Sequence, residues 1–212
     1  WRVGFAECCG AAPISWAVAG NLAGPGRGGR HFRSAPRLRG ASVIGYWKEI
    51  IAMDLRPLQP DDALAVSALL ATAFDGPMET RLVSQLRQDG AMALELVAAD
   101  AERTYGYIGF CKLTAPGDWW SLSPVAVSPS RQGGGIGSEL IRYGLDHARR
   151  AGARAVTVLG DPVYYRRFGF TCKAAENLTS PYSGPNYMLY PSAPLTAGIA
   201  AEVTYPEAFW SL

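Results

Sequence analysis

One segment of the sequence has the residue types expected of a phosphate-binding loop, the run Arg131-Gln132-Gly133-Gly134-Gly135-Ile136-Gly137. Glycine has no side chain, so a glycine-rich backbone can approach a ligand closely. The run follows an apolar, strand-like stretch and precedes a helical pattern. The free N–H groups and the positive dipole end of a helix start favour an anion. The segment therefore predicts a pyrophosphate cradle, and a flexible loop that merely precedes a helix is the alternative.

Two common nucleotide-binding motifs do not fit this run. It lacks the Lys-Ser/Thr ending that a nucleoside triphosphate loop uses to reach the phosphates and the metal. It also lacks Gly-x-Gly-x-x-Gly at a first strand-to-helix turn with an acidic residue about 20 positions on. A phosphate-bearing ligand of another kind is therefore favoured.

The elements that must position the loop become readable at Met53, and two kinds of periodicity alternate from there. The pattern predicts strands over 54–57, 92–99, 104–113, 118–127, 154–159 and about 187–190, and helices from Asp61 or Asp62 to 74, over 78–88, 137–151 and 162–168. The middle strands follow one another as hairpins. This order predicts an α+β fold with a mixed, mostly antiparallel sheet and helices on both faces.

Two predicted helices have apolar positions that we expect to face the core. In the first, these are Leu64, Ala68, Leu69 and Ala71. In the helix after the glycine-rich run, they are Leu140, Ile141, Gly144, Leu145 and Ala148. Cys111 lies in an apolar strand-like run, which predicts a small buried thiol.

Composition and charge restrict the class of protein. The 212 residues are 49% hydrophobic and 18% charged, which is typical of a single globular domain. Residues 1–52 carry a net charge of +5 and residues 53–212 a net charge of −3. The patterned part therefore lacks the clustered basic face of a nucleic-acid-binding protein. No apolar run reaches the roughly 18 residues of a membrane span, so no membrane partner is expected.

Residues 1–52 form a basic extension, rich in Gly, Arg and Pro between positions 17 and 40. Three interpretations compete: a targeting peptide, a basic arm that binds a partner, or sequence upstream of a true start at Met53. The loss of pattern favours the last, and disorder is expected. The spacing of Cys8, Cys9, Cys111 and Cys172 fits neither a metal site nor a disulfide framework, which indicates a reducing, cytoplasmic location.

At this point the motifs resemble a known family. The run Gln132-Gly133-Gly134-Gly135-Ile136-Gly137 matches the Gln/Arg-x-x-Gly-x-Gly/Ala signature of GNAT-superfamily N-acetyltransferases, and Val125-Ala126-Val127 resembles the strand before it. Residues 164–170, Tyr-Tyr-Arg-Arg-Phe-Gly-Phe, resemble the later Tyr-x-x-x-Gly-Phe element. Residues 159–170 and 203–209 resemble the YhbS-like subgroup. The resemblance covers residues 53–212 and leaves out the extension.

The resemblance implies a sheet splayed at its centre, with acetyl-CoA as co-substrate between the separated strands. The implied cofactor-binding residues are Val125, Ala126, Val127, Gln132, Gly133, Gly134, Gly135, Ile136, Gly137 and Ser138. Tyr165 takes the position of the family's general-acid tyrosine, and a wall for the cofactor is its alternative role. Tyr164 is expected to pack in the core. The family's cofactor-contacting Asn, seven residues before that tyrosine, is replaced by Val158, whose side chain is apolar.

The sequence contains no clear motif for the residues that bind the acceptor. An amine is protonated at neutral pH, so a base or a chain of water molecules must take a proton, and the candidate bases are Glu79, Asp118 and Asp161. None is marked by spacing, and an exposed surface carboxylate is the commoner role for each. His147 is expected to be an ordinary helix residue. Trp119 or Trp120 lines the acceptor pocket or packs in the core, and residues 180–186 form a lid or a structural turn.

The sequence thus predicts an N-acetyltransferase that moves an acetyl group from acetyl-CoA to a primary amine by direct attack in a ternary complex. A non-catalytic acyl-CoA-binding regulatory module is the main alternative, and a nucleotide-binding domain is disfavoured by the loop. The acceptor is an amine of a small molecule or of a protein. No metal and no nucleic-acid partner are expected, and a homodimer stays open.

Overall fold

The computed structural model describes residues 53–74 and 76–211. The predictions for residues 1–52, including those for Cys8 and Cys9, lie outside the described residues. The chain forms strands β1 (Asp54–Pro57), β2 (Met92–Ala99), β3 (Thr104–Lys112), β4 (Trp119–Val127), β5 (Ala155–Leu159), β6 (Leu178–Thr179), β7 (Tyr187–Pro191) and β8 (Ala201–Glu202). The α-helices are α1 (Ala63–Phe74), α2 (Met78–Gln88), α3 (Ile136–Arg150) and α4 (Pro162–Tyr165).

Six strands make one sheet in the order β1-β2-β3-β4-β5-β7, and β6 pairs with β8 in a small second sheet. In the large sheet only the β4–β5 pairing is parallel, and the other four pairings are antiparallel. The prediction of a mixed, mostly antiparallel sheet is confirmed. The two-residue strands β6 and β8 were not predicted, because two residues are too short to show an alternating pattern.

Helix α3 covers one face of the sheet, and α1 and α2 cover the other. The predicted inward residues of α3 are all buried, and all of them except Gly144 belong to one cluster with Phe110 and Leu122. At Gly144 helix and sheet touch, since a Cβ there would lie 2.5 Å from Cε2 of Phe110. Val66, Leu69 and Leu70 of α1 pack on the opposite face. Helices on both faces are therefore confirmed.

The predicted inward face of α1 was wrong at three of four positions. Leu64 is 83% exposed, Ala68 and Ala71 are exposed, and only Leu69 faces the core as expected. The run from Ala63 to Ala71 is apolar at nearly every position, so its periodicity could not select a face.

The start of α1 also differs from the prediction. A 3-10 turn (Pro60–Asp62) precedes α1. Asp62 accepts hydrogen bonds from the Arg56 guanidinium at 2.6 and 2.9 Å and from the Gln59 backbone N–H at 2.8 Å. Asp62 therefore anchors the entry to α1 by reaching back along the chain.

Within the described ranges, no helix is long and apolar enough to cross a membrane.

Candidate functional site

The strands β4 and β5 separate in the middle of the sheet. Their parallel pairing covers three residue pairs, from Trp119↔Ala155 to Ser121↔Thr157. Beyond that point β4 continues to Val127 along β3, while β5 stays paired with β7. In the part of the chain that the structure describes, the β5-facing edge of β4 thus has no strand partner after Ser121. Such an edge offers backbone N–H and C=O groups to an extended, amide-containing ligand.

A β-bulge accompanies the separation. Ile108 pairs with Val125 and Phe110 with Leu122, so Ser123 and Pro124 together oppose the single residue Gly109. A bulge bends its strand and strengthens the local twist, and bulges are frequent next to active sites. The extra residue in β4 thus lies just beyond Ser121, where the pairing with β5 ends.

The glycine-rich loop follows directly from β4. The Gln132 side-chain amide donates to the Val127 carbonyl at 3.0 Å, which ties the loop to the end of the strand. Gly133 and Gly135 have φ values of 78° and 90°, in the left-handed region that L-residues with side chains avoid. A Cβ at either glycine would have no atom within 4 Å. The loop therefore needs glycine for its backbone and borders open space in which a ligand can lie.

Helix α3 begins beside this space. Its first internal hydrogen bond runs from the Glu139 N–H to the Gly135 carbonyl at 3.0 Å. The N–H groups of Ile136, Gly137 and Ser138 precede it and have no acceptor within the helix. Together with the dipole of a 15-residue helix, these groups favour an anion such as a pyrophosphate.

The short helix α4 meets the same point. The Asp161 carboxylate accepts from the Val163 N–H at 2.8 Å and caps α4. A Cβ at Gly137 would lie 3.3 Å from Oη of Tyr164 and 3.4 Å from a methyl of Val127. The end of β4, the start of α3 and α4 therefore converge at Gly137.

Tyr165 is buried, with 2% of its surface exposed. Its ring packs edge-on against Tyr164 at 5.1 Å and Phe170 at 5.6 Å. Gly160 makes room for it, since a Cβ there would lie 2.4 Å from Cε2 of Tyr165. Burial, with a smaller contribution from Tyr164, raises the pKa of the phenol above its usual value. The hydroxyl is therefore protonated at neutral pH.

Tyr164 packs in the core as expected. It is buried, and the Arg167 guanidinium carbon lies 4.0 Å above its ring. The Arg167 Nε donates to the Tyr164 carbonyl at 3.0 Å. These contacts hold α4 in place and keep Tyr165 beside the separated strands.

The three candidate bases differ sharply in their surroundings. Asp118 is exposed and lies 3.7 Å from the Arg154 guanidinium, and Asp161 is the cap of α4. Glu79 is only 4% exposed, so the expectation of a surface carboxylate was wrong for this residue. Burial raises the pKa of the Glu79 carboxyl above its usual value.

The aromatic candidates for the acceptor pocket, and also His147, pack against other side chains of the fold. Trp119 and Trp120 are both buried, in clusters on opposite faces of the sheet. In the 180–186 loop, Tyr182 packs edge-on against Tyr205 at 4.8 Å and stacks on Trp210. The His147 ring packs on Tyr143 at 4.3 Å, as expected of an ordinary helix residue.

Sequence reasoning missed one polar residue beside the separated strands. Ser123 lies in the bulge, is 1% exposed, and its hydroxyl has no hydrogen-bond partner within the described residues. A buried hydroxyl without a partner is unfavourable unless a ligand satisfies it. The serine interrupting the apolar run of β4 was the available signal.

Comparison with known proteins agrees with this geometry. Residues 64–170 match the sequence model of the acetyltransferase (GNAT) family. The uncharacterised N-acetyltransferase YhbS of Escherichia coli strain K12 is 38% identical over 129 residues, which cover 59% of this chain and 77% of that protein. The uncharacterised N-acetyltransferase YjhQ of the same strain is 36% identical over 132 residues, which cover 58% of this chain and 73% of that protein.

Two solved structures share the fold and contain a coenzyme. The crystal structure of YhbS from Escherichia coli in complex with CoA has a TM-score of 0.70 and 34% identity, covering 74% of this chain and 92% of that chain. A GNAT acetyltransferase from Brucella melitensis in complex with acetyl-CoA has a TM-score of 0.64 and 34% identity, covering 74% of this chain and 97% of that chain. On the match over residues 64–170 and these similarities, the chain belongs to the GNAT acetyltransferase family.

Proposed function

We propose that this protein is an N-acetyltransferase that moves an acetyl group from acetyl-CoA to a primary amine by direct attack in a ternary complex. The observation that carries the proposal is the unpaired edge of β4 leading straight into a glycine-rich loop at the start of α3. One extended ligand with amide groups at one end and a pyrophosphate at the other would satisfy both features. Relatives crystallised with CoA and acetyl-CoA support this assignment.

The residues present fit acetyl-CoA. In our proposal the backbone of Val125, Ala126 and Val127 pairs with the pantetheine arm, as a strand would pair. The pyrophosphate lies against the loop and the first turn of α3, held by Gln132, Gly133, Gly134, Gly135, Ile136, Gly137 and Ser138. Val158, at the place of the family's polar Asn, is buried among apolar side chains and offers no polar side-chain contact.

The chemistry then requires positioning, polarisation and one proton donor. Holding amine and thioester in line can supply an effective molarity of about 10⁵ M or more. A backbone N–H of β4, assigned to Val125, polarises the thioester oxygen. Tyr165 donates its phenolic proton to the leaving thiolate.

The proposal also covers the extent and location of the enzyme. We assign the acetyltransferase domain to residues 53–212 and treat residues 1–52 as an extension outside it. The cysteine spacing supports a cytoplasmic location.

Calorimetric titration tests the binding half of the proposal. Acetyl-CoA should bind in the micromolar range, and ATP should not bind. Thiol release from acetyl-CoA in the presence of primary amines tests the catalytic half. Binding of ATP in place of acetyl-CoA would refute the proposal, and tight acetyl-CoA binding without transfer to any amine would favour a regulatory binding module.

A further inference from the structure

The face of the sheet opposite α3 carries buried polar groups that the steps above leave unused. Trp120 and Leu122 of β4 pack toward α3. Ser121 and Ser123 alternate with them along β4, and Thr157 is paired with Ser121 on β5. These three residues and Glu79 are buried polar side chains. On the side toward α1 and α2, where Trp119 and Ala126 are also buried, the separated strands thus carry a local group of polar side chains.

Glu79 reaches this polar side from the first turn of α2. Leu82 and Val83, three and four residues later, are on the same helix face. Leu82 packs in a cluster with Trp119, and Val83 packs in a cluster with Ala126. Both of those residues belong to β4, so Glu79 is on the side of α2 that faces the sheet.

Glu79 has no cationic partner in residues 53–74 and 76–211. Glu95, a second carboxylate near α2 and the sheet, has hydrogen-bond partners in the fold. It accepts from the Arg87 guanidinium at 2.6 Å and from the Tyr107 hydroxyl at 2.7 Å. A buried carboxylate without such partners is costly. Glu95 thus has a guanidinium and a hydroxyl partner, whereas the Glu79 carboxylate interacts with its own backbone N–H and has no cationic partner among the described residues.

Ser123 adds an independent observation on the same side of the sheet. Its hydroxyl is buried without a hydrogen-bond partner at the bulge where β4 leaves β5. A group that both donates to a carboxylate and exchanges a hydrogen bond with a hydroxyl would satisfy both residues. A primary ammonium group can do this. It has three N–H donors, and after deprotonation it has two N–H donors and one lone pair that can accept a hydrogen bond.

We propose that Glu79 binds the ammonium group of the acceptor on the α1–α2 side of the sheet, and that Ser123 contacts the amine nitrogen next to the thioester. This inference rests on the proposed function, and it names the chemical class of the acceptor, which is the second substrate. Because Glu79 and Ser123 are 4% and 1% exposed, the proposal requires an acceptor with a slender, unbranched aminoalkyl group. Such a group is found at the end of a small diamine or of a lysine side chain.

The protons balance in this arrangement. The acceptor R–NH₃⁺ gives one proton to the Glu79 carboxylate, which releases it to solvent after turnover. The free amine forms the C–N bond as the C–S bond breaks, and Tyr165 protonates the sulfur. The second proton lost by the nitrogen restores the Tyr165 phenol. The products are R–NH–CO–CH₃, CoA thiol and one proton.

The test compares wild type with Glu79→Gln, Glu79→Asp and Ser123→Ala, and uses Glu176→Gln as a control at an exposed glutamate. The acceptors are putrescine, a lysine side chain in N-acetyl-lysine amide, and the branched amine of alanine amide. Putrescine and the lysine compound distinguish a small diamine from a protein side chain as the source of the group. Initial rates of thiol release give kcat and KM for each acceptor and for acetyl-CoA.

We expect Glu79→Gln to lower kcat/KM for the slender acceptors about 100-fold, as loss of a buried charge partner does. Glu79→Asp should recover part of this loss, and Ser123→Ala should lose about 10-fold. The KM for acetyl-CoA should stay within about twofold, which a general structural defect would not allow. A kcat/KM for Glu79→Gln close to wild type, or a preference for alanine amide, overturns the inference.

A direct binding measurement separates this inference from the proposed function. Calorimetry of putrescine and of N-acetyl-lysine amide with each protein needs no turnover. Binding of either compound by wild type that is lost in Glu79→Gln supports the Glu79 site even if no acetyl transfer is found. Absence of binding of both compounds to wild type, or equal binding to Glu79→Gln, overturns it even if acetyl-CoA is bound and hydrolysed.

Discussion

Replacement of Gly135 by alanine tests the phosphate cradle, because α3 offers a matched control at its other end. Gly135 precedes the helix and Gly152 follows it, and both have a φ of 90°. A Cβ at either position would have no atom within 4 Å. Gly135→Ala and Gly152→Ala therefore impose the same backbone strain without a steric clash. Only Gly135 belongs to the proposed cradle.

The left-handed conformation costs an L-residue about 1–2 kcal/mol. Both variants should lose this amount in free energy of unfolding, which corresponds to a fall in Tm of roughly 2–8 °C for a domain of this size. Acetyl-CoA affinity should separate them. The added methyl group of Gly135→Ala occupies the space where the pyrophosphate approaches. Loss of one hydrogen bond to a charged group, about 1.5–3 kcal/mol, weakens binding roughly 10- to 100-fold.

The assay is thermal unfolding of both variants without ligand, followed by calorimetric titration with acetyl-CoA well below either Tm. The expected result is an equal loss of stability and a loss of affinity in Gly135→Ala alone. Affinities equal to that of wild type in both folded variants would refute the placement of the pyrophosphate at this loop. An equal fall of both affinities would show that the helix as a whole, not the cradle, was disturbed.

Three further predictions concern single side chains. Tyr165→Phe should lower kcat about 100-fold or more without weakening acetyl-CoA binding. The control is Tyr190→Phe, on the far side of Phe170 in the same aromatic group, which should leave kcat unchanged. Equal kcat values for the two variants would contradict the assignment of Tyr165 as the general acid. Gly144→Ala should lower the free energy of unfolding by about 1–2 kcal/mol, measured by urea denaturation, since its Cβ would meet the Phe110 ring at 2.5 Å. An unchanged free energy of unfolding would mean that the Phe110 ring can move away without cost. Burial raises the folded-state pKa of Glu79, so ionisation of this carboxyl destabilises the unligated fold. This cost is absent below the usual pKa of about 4.3 and complete above the raised pKa. Wild type should therefore lose free energy of unfolding relative to Glu79→Gln as pH rises through that interval, and parallel pH profiles of the two proteins would contradict the burial of the carboxylate.

The elements flanking the site were predictable from sequence because their signals are local. The glycine-rich run, the strand before it and the Tyr-x-x-x-Gly-Phe element each lie within about ten residues. The buried face of α3 was read correctly, since charged residues mark its exposed side. The face of α1 was not, because its apolar residues surround the helix.

The acceptor side was not predictable, because its features arise from distant residues. The role of Glu79 depends on which α2 positions face β4, and no spacing along the chain encodes that. Ser123 becomes notable only when its neighbours fail to supply a hydrogen bond. The capping role of Asp161 likewise appears only in the geometry of α4. The three carboxylates were equivalent in sequence and differ in their surroundings.

Transfer of a labelled acetyl group tests the central claim most directly. The protein is incubated with acetyl-CoA carrying a deuterated acetyl group and, in separate reactions, with putrescine or N-acetyl-lysine amide, and both the acceptor and the free thiol are quantified. The account predicts that at least one of the two amines is N-acetylated with the deuterium label and that an equal amount of free CoA thiol forms. Thiol without acetylation of either amine, or bound acetyl-CoA that stays intact, would contradict it.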